Sequence, residues 1–161
     1  MSLIPETDTP WLKKCREFAS SVIIPNRSVY DRENRFPATV HDEANIWGML
    51  NVDFPSALGG SDLSGAQATA GAELLASACA PIAFTLGFNR GALHPILVAG
   101  STEQKNTFIK DTILNGRYAS LCLTEAQTSG SNLMDLATTA IRVGSGWRIT
   151  GNKCMVGNGG I

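Results

Sequence analysis

The sequence has 161 residues, which is long enough for one or two domains, and its 43% hydrophobic and 17% charged residues are typical of a folded globular protein. Its formal net charge of −1 excludes a strongly basic surface. We therefore expect neither nucleic acid nor an anionic membrane surface as a partner.

The first third of the chain has the apolar periodicity of helices. Thr9 can cap a helix whose first position is Pro10, where no N–H donor is needed. Pro25 should kink or end that helix. A solvated helix is expected over residues 26–35 and a short amphipathic helix between Val40 and Leu50.

The most apolar stretch covers residues 66–99. Polar side chains, prolines and glycines interrupt every window of about 20 residues, so we predict buried helices and no membrane span. One helix should run from residue 66 to about 79. A second should run from about 82 to 99, with an interruption near Gly91 or Pro95.

The next helix has clear signals at both ends. Ser101 and Gln104 have the spacing of a capping box, and Asn115-Gly116 is a typical helix stop. β-type patterns follow. Residues 118–123 are apolar and β-tolerant, residues 138–143 and 147–150 are strand-like on either side of a Gly144-Ser145-Gly146 turn, and residues 153–156 could form another strand.

These patterns predict an α+β protein with a mainly α N-terminal domain over residues 1–116. The start of a β region occupies residues 117–161. A sheet with so few strands has an exposed edge and little to pack against, so we expect the β region to be truncated.

The cysteines and histidines do not suggest a metal site. The four cysteines form no C-x-x-C pair and the chain has two histidines, so we expect free thiols and no metal. The N-terminus has no basic segment followed by an apolar run. This predicts no secretory signal and fits the cytoplasm or an organelle matrix.

The segment 121–133 is the most informative for function. Apolar residues lead into a hydroxyl-rich loop that contains Gly130, and such a loop offers main-chain N–H groups to a polar ligand. An ordinary strand-to-turn connection explains the pattern equally well. The run 146–153 is similar to a phosphate loop, but Asn152 stands where the lysine is required.

Several motifs in order resemble those of the acyl-CoA dehydrogenases. Each motif is weak alone, and the combination covers the chain from about Phe36 to Gly160. The matching residues are Pro55 to Ser61, Gly100 to Lys105, Thr124-Glu125, Gly130-Ser131-Asn132, Thr138-Thr139-Ala140, Gly146-Trp147, Ile149, Gly151-Asn152-Lys153 and Met155 to Gly159.

The resemblance implies a helical domain followed by the first strands of a β-barrel-like middle domain that binds FAD. Ser131 would contact both the flavin and the acyl-CoA substrate. The full set of cofactor-binding residues implied is Leu121, Cys122, Leu123, Thr124, Gly130, Ser131, Met155, Val156 and Gly157. Donors at the carbonyl edge of a flavin stabilise the negative charge of the reduced ring.

The resemblance also implies α,β-dehydrogenation of an acyl-CoA, with hydride transfer to the flavin N5. The base would be a glutamate in a C-terminal helical domain that these 161 residues do not contain, so no catalytic residue is expected here and the chain alone should be inactive. Glu125 is not that base, because the family has a glutamate at this position as well. An electron-transfer flavoprotein or similar acceptor and a homodimer or homotetramer are expected for the full-length protein.

Some positions depart from the family pattern. Ala126 replaces a proline, residues 127–129 fit with one inserted residue, and Asn132 replaces an aspartate. Met155 replaces an aromatic residue, and Gly157 stands where a hydroxyl normally reaches N5. Three hypotheses stay open: part of an acyl-CoA dehydrogenase, part of a same-fold flavin monooxygenase or oxidase, or a truncated non-catalytic interaction domain.

Overall fold

The computed structural model describes residues 9–128 and 130–160. These residues divide into two compact units, a helical unit that ends at Ala119 and a second unit, Ser120–Gly160. The predicted domain limits at residues 1 and 161 lie outside the described residues, as does Ser129 of the predicted insertion. The mainly α first region, followed by the beginning of a β region, confirms the predicted fold class.

The helical unit begins with a long continuous helical run. The predicted N-cap is confirmed, since Thr9 Oγ1 accepts a hydrogen bond from the Leu12 N–H at 3.3 Å. Helix α1 is Pro10–Phe18, a π-helical turn is Ala19–Ile23, and helix α2 is Ile24–Glu33. Of the two predicted effects of Pro25, the structure does not show an end of the helical run, and the regular α-helical bonding is interrupted just before it. Pro25 is the second residue of α2, just after the π-helical turn, and π-type turns often mark places where the regular bonding pattern is broken.

A first apolar core joins this run to helix α3 (Ala38–Ile46) and to the helices that follow. Phe18 and Val40 are fully buried in it, and the Phe18 and Trp47 rings pack edge to face with centroids 5.5 Å apart. Helix α2 is amphipathic only weakly and leaves most of its residues exposed, as expected for a solvated helix.

Helices α4 (Gly65–Ala78) and α5 (Ala80–Ala99) form the centre of the helical unit. The α1 and α4 helices approach closely at Gly71, where an added Cβ would lie 2.5 Å from the Trp11 indole nitrogen. That nitrogen donates a hydrogen bond to the Gln67 carbonyl at 2.9 Å. Among the described helices, none has both the length and the apolar character required to cross a membrane.

The predicted interruption of α5 is wrong, because the helix continues through Pro95. A proline removes one helical hydrogen bond, and its ring crowds the carbonyl of the residue four positions earlier. That residue is Gly91, where an added Cβ would meet nothing within 4 Å. The open surroundings of Gly91 give the backbone room to adjust.

The helical unit ends with α6 (Thr102–Gln104), a π-helical turn (Lys105–Lys110) and α7 (Asp111–Leu114). The predicted capping box is confirmed, since Ser101 Oγ accepts from the Gln104 N–H and the Gln104 side chain accepts from the Ser101 N–H. A second core forms around Phe54, Leu93 and Ile109.

The second unit contains one antiparallel hairpin. Strand β1 is Thr139–Val143 and strand β2 is Gly146–Thr150, with Thr139 opposite Thr150 and Val143 opposite Gly146. The predicted hairpin is confirmed, although the turn consists of Gly144 and Ser145 alone. Residues 118–123 and 153–156 are not strands among the described residues. One main-chain hydrogen bond joins Thr124 to Cys154, which does not make a ladder.

Candidate functional site

Seven of the nine residues proposed to contact a flavin lie in two segments of the second unit, 121–124 and 155–157, and Gly130 and Ser131 lie in the loop between them. Contacts at the ends of these segments hold them together. The Cys154 N–H donates to the Thr124 carbonyl at 2.9 Å, and Lys153 Nζ donates to the Leu123 carbonyl at 2.9 Å. Leu123 and Lys153 are thirty positions apart in sequence. Two segments that sequence reasoning could connect only by resemblance are thus neighbours in the structure.

Glu125 is the centre of this arrangement. Its side chain is 5% exposed, and its carboxylate accepts hydrogen bonds from the Ala137 N–H (2.7 Å), the Thr138 N–H (3.0 Å), the Thr138 hydroxyl and Lys153 Nζ (2.8 Å). These contacts tie both ends of the loop 125–138 together. They also connect the loop to the segment that begins at Lys153.

The same contacts determine the charge of Glu125. The Lys153 ammonium group, then the Thr138 hydroxyl and the Ala137 N–H, lower the pKa of Glu125 to about 2. A carboxylate with so low a pKa has little affinity for a proton at neutral pH, so it is poorly suited to act as a general base. The geometry therefore gives Glu125 a structural task, in agreement with its exclusion as the base.

The Gly130 loop folds tightly onto Thr124. A Cβ added at Gly130 would lie 2.6 Å from Thr124 Oγ1, a distance that real Cβ contacts do not reach. Gly151 is in a similar position, since its added Cβ would lie 2.2 Å from Thr138 Oγ1. Ser131, which follows Gly130, is exposed. A side chain at either glycine would therefore collide with a threonine hydroxyl.

The second segment has an unusual backbone at Met155. Its φ of 50° lies in the left-handed region, which is uncommon for residues other than glycine, and its side chain is 84% exposed. Val156 and Gly157 are half-buried, whereas Cys122 is exposed and Leu121 is 36% exposed. The apolar side chains of Leu121 and Met155 therefore remain available as a wall for an apolar ligand surface.

Sequence reasoning missed the partners that hold the site together. Lys153 and Thr138 belong to the family-like motifs and Ala137 directly precedes one, but no local pattern connects these residues with Glu125. The available signal was Lys153 itself, since a lysine among small and apolar residues must find a partner if it is enclosed. Its side chain is 18% exposed.

Two buried polar residues belong to the helical unit. Asn89 is 1% exposed, donates through Nδ2 to the Arg117 carbonyl at 2.8 Å and accepts through Oδ1 from the Ala119 N–H at 2.8 Å. Asn89 therefore anchors the main chain at both Arg117 and Ala119, near the end of this unit.

His41 is also 1% exposed, and in the described residues neither of its ring nitrogens has a hydrogen-bond partner. Its ring centroid lies 4.0 Å from that of Tyr118, which also packs edge to face on Phe36. Burial lowers the pKa of His41, and the nearby Asp42 carboxylate partly opposes that shift. His41 is thus a neutral member of an aromatic cluster.

Within the described residues, the remaining titratable groups do not form a second cluster. The four cysteines are free, and burial raises the pKa of the Cys15 thiol to about 12. In residues 9–128 and 130–160, no group of three or more His, Cys, Asp or Glu side chains is placed to hold a metal ion.

Comparison with known proteins identifies the family. The model described as "Acyl-CoA dehydrogenase, N-terminal domain" matches residues 5–115. The human short-chain specific acyl-CoA dehydrogenase, a mitochondrial protein, is 30% identical over 156 residues, which are 96% of this chain and 38% of the human protein.

Two solved structures show the same fold. A prolyl acyl carrier protein oxidase has a TM-score of 0.84 and 27% identity, covering 94% of this chain and 40% of the oxidase. A glutaryl-CoA dehydrogenase from Mycobacterium smegmatis, solved in complex with FADH2, has a TM-score of 0.80 and 20% identity, covering 96% and 40% of the two chains.

This chain spans about two-fifths of the length of the relatives it matches. The family model nevertheless covers well over half of the 161 residues. The chain therefore belongs to the acyl-CoA dehydrogenase family and carries its N-terminal domain.

Proposed function

We propose that the full-length protein to which this chain belongs is an FAD-dependent acyl-CoA dehydrogenase. It would remove the α-proton and the β-hydride from an acyl-CoA thioester and so form a 2-enoyl-CoA. This chain would contribute the helical domain and one wall of the flavin site in the first part of the middle β domain. Family membership and the human relative at 30% identity support this activity.

The observation that carries the proposal is the contact between the two candidate flavin segments. Cys154 donates to the Thr124 carbonyl and Lys153 donates to the Leu123 carbonyl, so the two residues directly before 155–157 lie against residues 123–124. The resemblance assigns both segments to the same ring. A flavin site needs the two segments close together, and the contacts of Lys153 and Cys154 support that arrangement.

The residues present fit a flavin. Main-chain groups of Leu121, Leu123 and Thr124, together with the Thr124 hydroxyl, would bind the carbonyl edge of the pyrimidine ring. The tight packing of Gly130 on Thr124 leaves a surface free of bulky side chains, and the exposed Met155 would supply an apolar wall. FAD, when bound, supplies the hydride acceptor.

The other residues of the two segments, and Ser131, have individual roles in the proposed site. Cys122 lies between two of the proposed main-chain contacts, and Val156 would pack near the ring. Ser131 would touch both flavin and thioester. Gly157 can offer only its N–H group where relatives have a hydroxyl, so the side chain does not tune the ring at this point. The α-proton would be taken by a glutamate that this chain does not contain.

A same-fold flavin oxidase or monooxygenase is the second candidate. Gly157 changes the environment of the hydride acceptor, and a prolyl acyl carrier protein oxidase shares 27% identity and the fold. An enzyme of this kind could take a thioester carried by a protein in place of acyl-CoA.

The acceptor, assembly and location follow from the first candidate. We propose an electron-transfer flavoprotein or a similar protein as the electron acceptor and a homodimer or homotetramer as the assembly. The mitochondrial location named for the human relative supports an organelle matrix in a eukaryote, or otherwise the cytoplasm.

Flavin retention tests the site. The full-length protein should purify with FAD, which is measured by releasing the cofactor and separating it by chromatography. In Gly130→Ala, the methyl group would displace the Thr124 hydroxyl from its place 2.6 Å away. The displaced hydroxyl would lose its hydrogen bond to the flavin, a net loss of about 0.5–1.5 kcal/mol, so FAD affinity should fall about 2- to 12-fold.

Gly87→Ala is the matched control, because nothing lies within 4 Å of its added Cβ. It should retain FAD as the parent protein does. A parent protein that purifies without FAD and takes none up would remove the basis of both candidate functions and leave the non-catalytic interaction domain.

A further inference from the structure

Lys153 is the enclosed cation of the second unit. The other cationic residues of Ser120–Gly160 are Arg142 and Arg148, which are exposed on the hairpin. Lys153 Nζ instead divides its hydrogen bonds between the Leu123 carbonyl (2.9 Å) and Glu125 Oε1 (2.8 Å). The Lys153 ammonium group is thus held in contact with the carbonyl oxygen of one peptide group, that of Leu123.

That peptide group joins Leu123 to Thr124. An ammonium group at the Leu123 carbonyl oxygen draws electron density out of the amide, and this makes the N–H at the other end of the same amide a stronger donor. Hydrogen bonds polarise one another in this way, and the effect is larger where water is excluded. The N–H concerned is that of Thr124, which makes no hydrogen bond within the described residues.

Glu125 reduces the electrostatic effect of the Lys153 charge on the surrounding groups. Its carboxylate neutralises Lys153, and the Ala137 and Thr138 groups hold that carboxylate in place. The pair as a whole is therefore nearly neutral at a distance. A ligand bound at the Thr124 N–H therefore interacts with a polarised peptide group. It does not experience the full electrostatic field of an isolated cation.

We propose that Lys153 is a positioning residue that strengthens the Thr124 N–H as a donor to the carbonyl edge of the flavin pyrimidine ring, with Glu125 limiting its charge. This inference rests on the proposed function, since it concerns the same flavin surface. The pyrimidine edge becomes more negative when the ring is reduced, so a stronger donor favours the reduced form. Lys153 thus raises the reduction potential of the bound flavin.

The test compares variants of the full-length protein with bound FAD. Lys153→Met removes the cation and keeps a side chain of similar length, so the reduction potential should fall. Glu125→Gln removes the neutralising charge and keeps the lysine, so the potential should rise. The potential is measured by equilibration against a reference dye, and FAD affinity is measured in parallel.

Two further variants distinguish an effect on the flavin reduction potential from a general effect on folding. Arg148→Met removes one positive charge from the exposed face of the hairpin and should leave the potential unchanged. Lys153→Arg keeps a cation and should hold the potential close to that of the parent protein. Opposite shifts in Lys153→Met and Glu125→Gln are the result that a purely structural ion pair does not produce.

Several outcomes would overturn the inference. If Lys153→Met and Glu125→Gln both lower the potential, or both leave it unchanged while the parent protein holds FAD, the pair acts only on the fold of the unit. An equal shift in Arg148→Met would show that any lost positive charge has this effect. A parent protein that holds no FAD contradicts the proposed function itself and removes this inference with it.

Discussion

Replacing Asn89 with leucine tests the long-range contact that closes the helical unit. Leucine has a similar size but can neither donate to the Arg117 carbonyl nor accept from the Ala119 N–H, and Asn89 makes both of these bonds at 2.8 Å while 1% exposed. Each main-chain group left without a partner costs about 1–3 kcal/mol. We therefore expect the free energy of unfolding in urea to fall by about 2–6 kcal/mol.

Aspartate at the same position gives the prediction a pH signature. A protonated carboxyl group has one donor and one acceptor and can replace both bonds, whereas the ionised form cannot donate. Burial and the Arg117 carbonyl favour the protonated form, so the pKa of the carboxyl is raised in the folded state. Its stabilising effect is then present at acid pH and is lost as the pH rises through the folded pKa.

The exposed Asn106 is the control position, since it lies on the surface of the helical unit. Asn106→Leu and Asn106→Asp should change the free energy of unfolding by no more than about 0.5 kcal/mol. The reasoning is refuted if Asn89→Leu is no more destabilising than Asn106→Leu. It is equally refuted if Asn89→Asp is as unstable at pH 5 as at pH 8.

Two other predictions concern the same unit. Because the pKa of His41 is lowered in the folded state, its contribution to stability is present above the ordinary value of about 6.5 and is lost as the pH falls below it. His41→Phe should therefore flatten the fall in unfolding free energy between pH 7 and pH 5. Gly71→Ala should destabilise the protein by about 1–3 kcal/mol, because its Cβ would lie 2.5 Å from the Trp11 nitrogen. Gly87→Ala, with nothing within 4 Å, should stabilise it by about 0.5–1 kcal/mol, and thermal unfolding of the pair gives the comparison.

Local signals predicted much of the helical unit. The Thr9 cap and the Ser101–Gln104 capping box depend on residues three positions apart, so a short window of sequence contains all the information. The hairpin turn at Gly144-Ser145 is similarly local, and Gly144 has the positive φ that such a turn requires.

The predictions of secondary structure were wrong where the surroundings of a segment in the fold outweigh its local sequence preference. Proline usually interrupts a helix, but the open space at Gly91 allows helix α5 to continue through Pro95. Residues 118–123 have strand-forming side chains. A strand also needs a neighbour to pair with, and propensity alone does not provide one.

The candidate site shows the same division. The resemblance to the family identified the segments that contain Leu123 and Met155. The structure shows in addition an ion pair between Glu125 and Lys153, which lie 28 positions apart in sequence. No periodic pattern in the sequence connects these two residues. Their pairing depends on the folding of the loop between them.

Anaerobic titration of the full-length protein with a saturated acyl-CoA tests the central claim most directly. If the protein is an FAD-dependent acyl-CoA dehydrogenase, the visible absorbance of its flavin should bleach as hydride is transferred, and a 2-enoyl-CoA should form in equal amount. A flavin that stays oxidised with acyl-CoA of every chain length would contradict this activity. Bleaching by a carrier-protein thioester alone would instead favour the oxidase-like function.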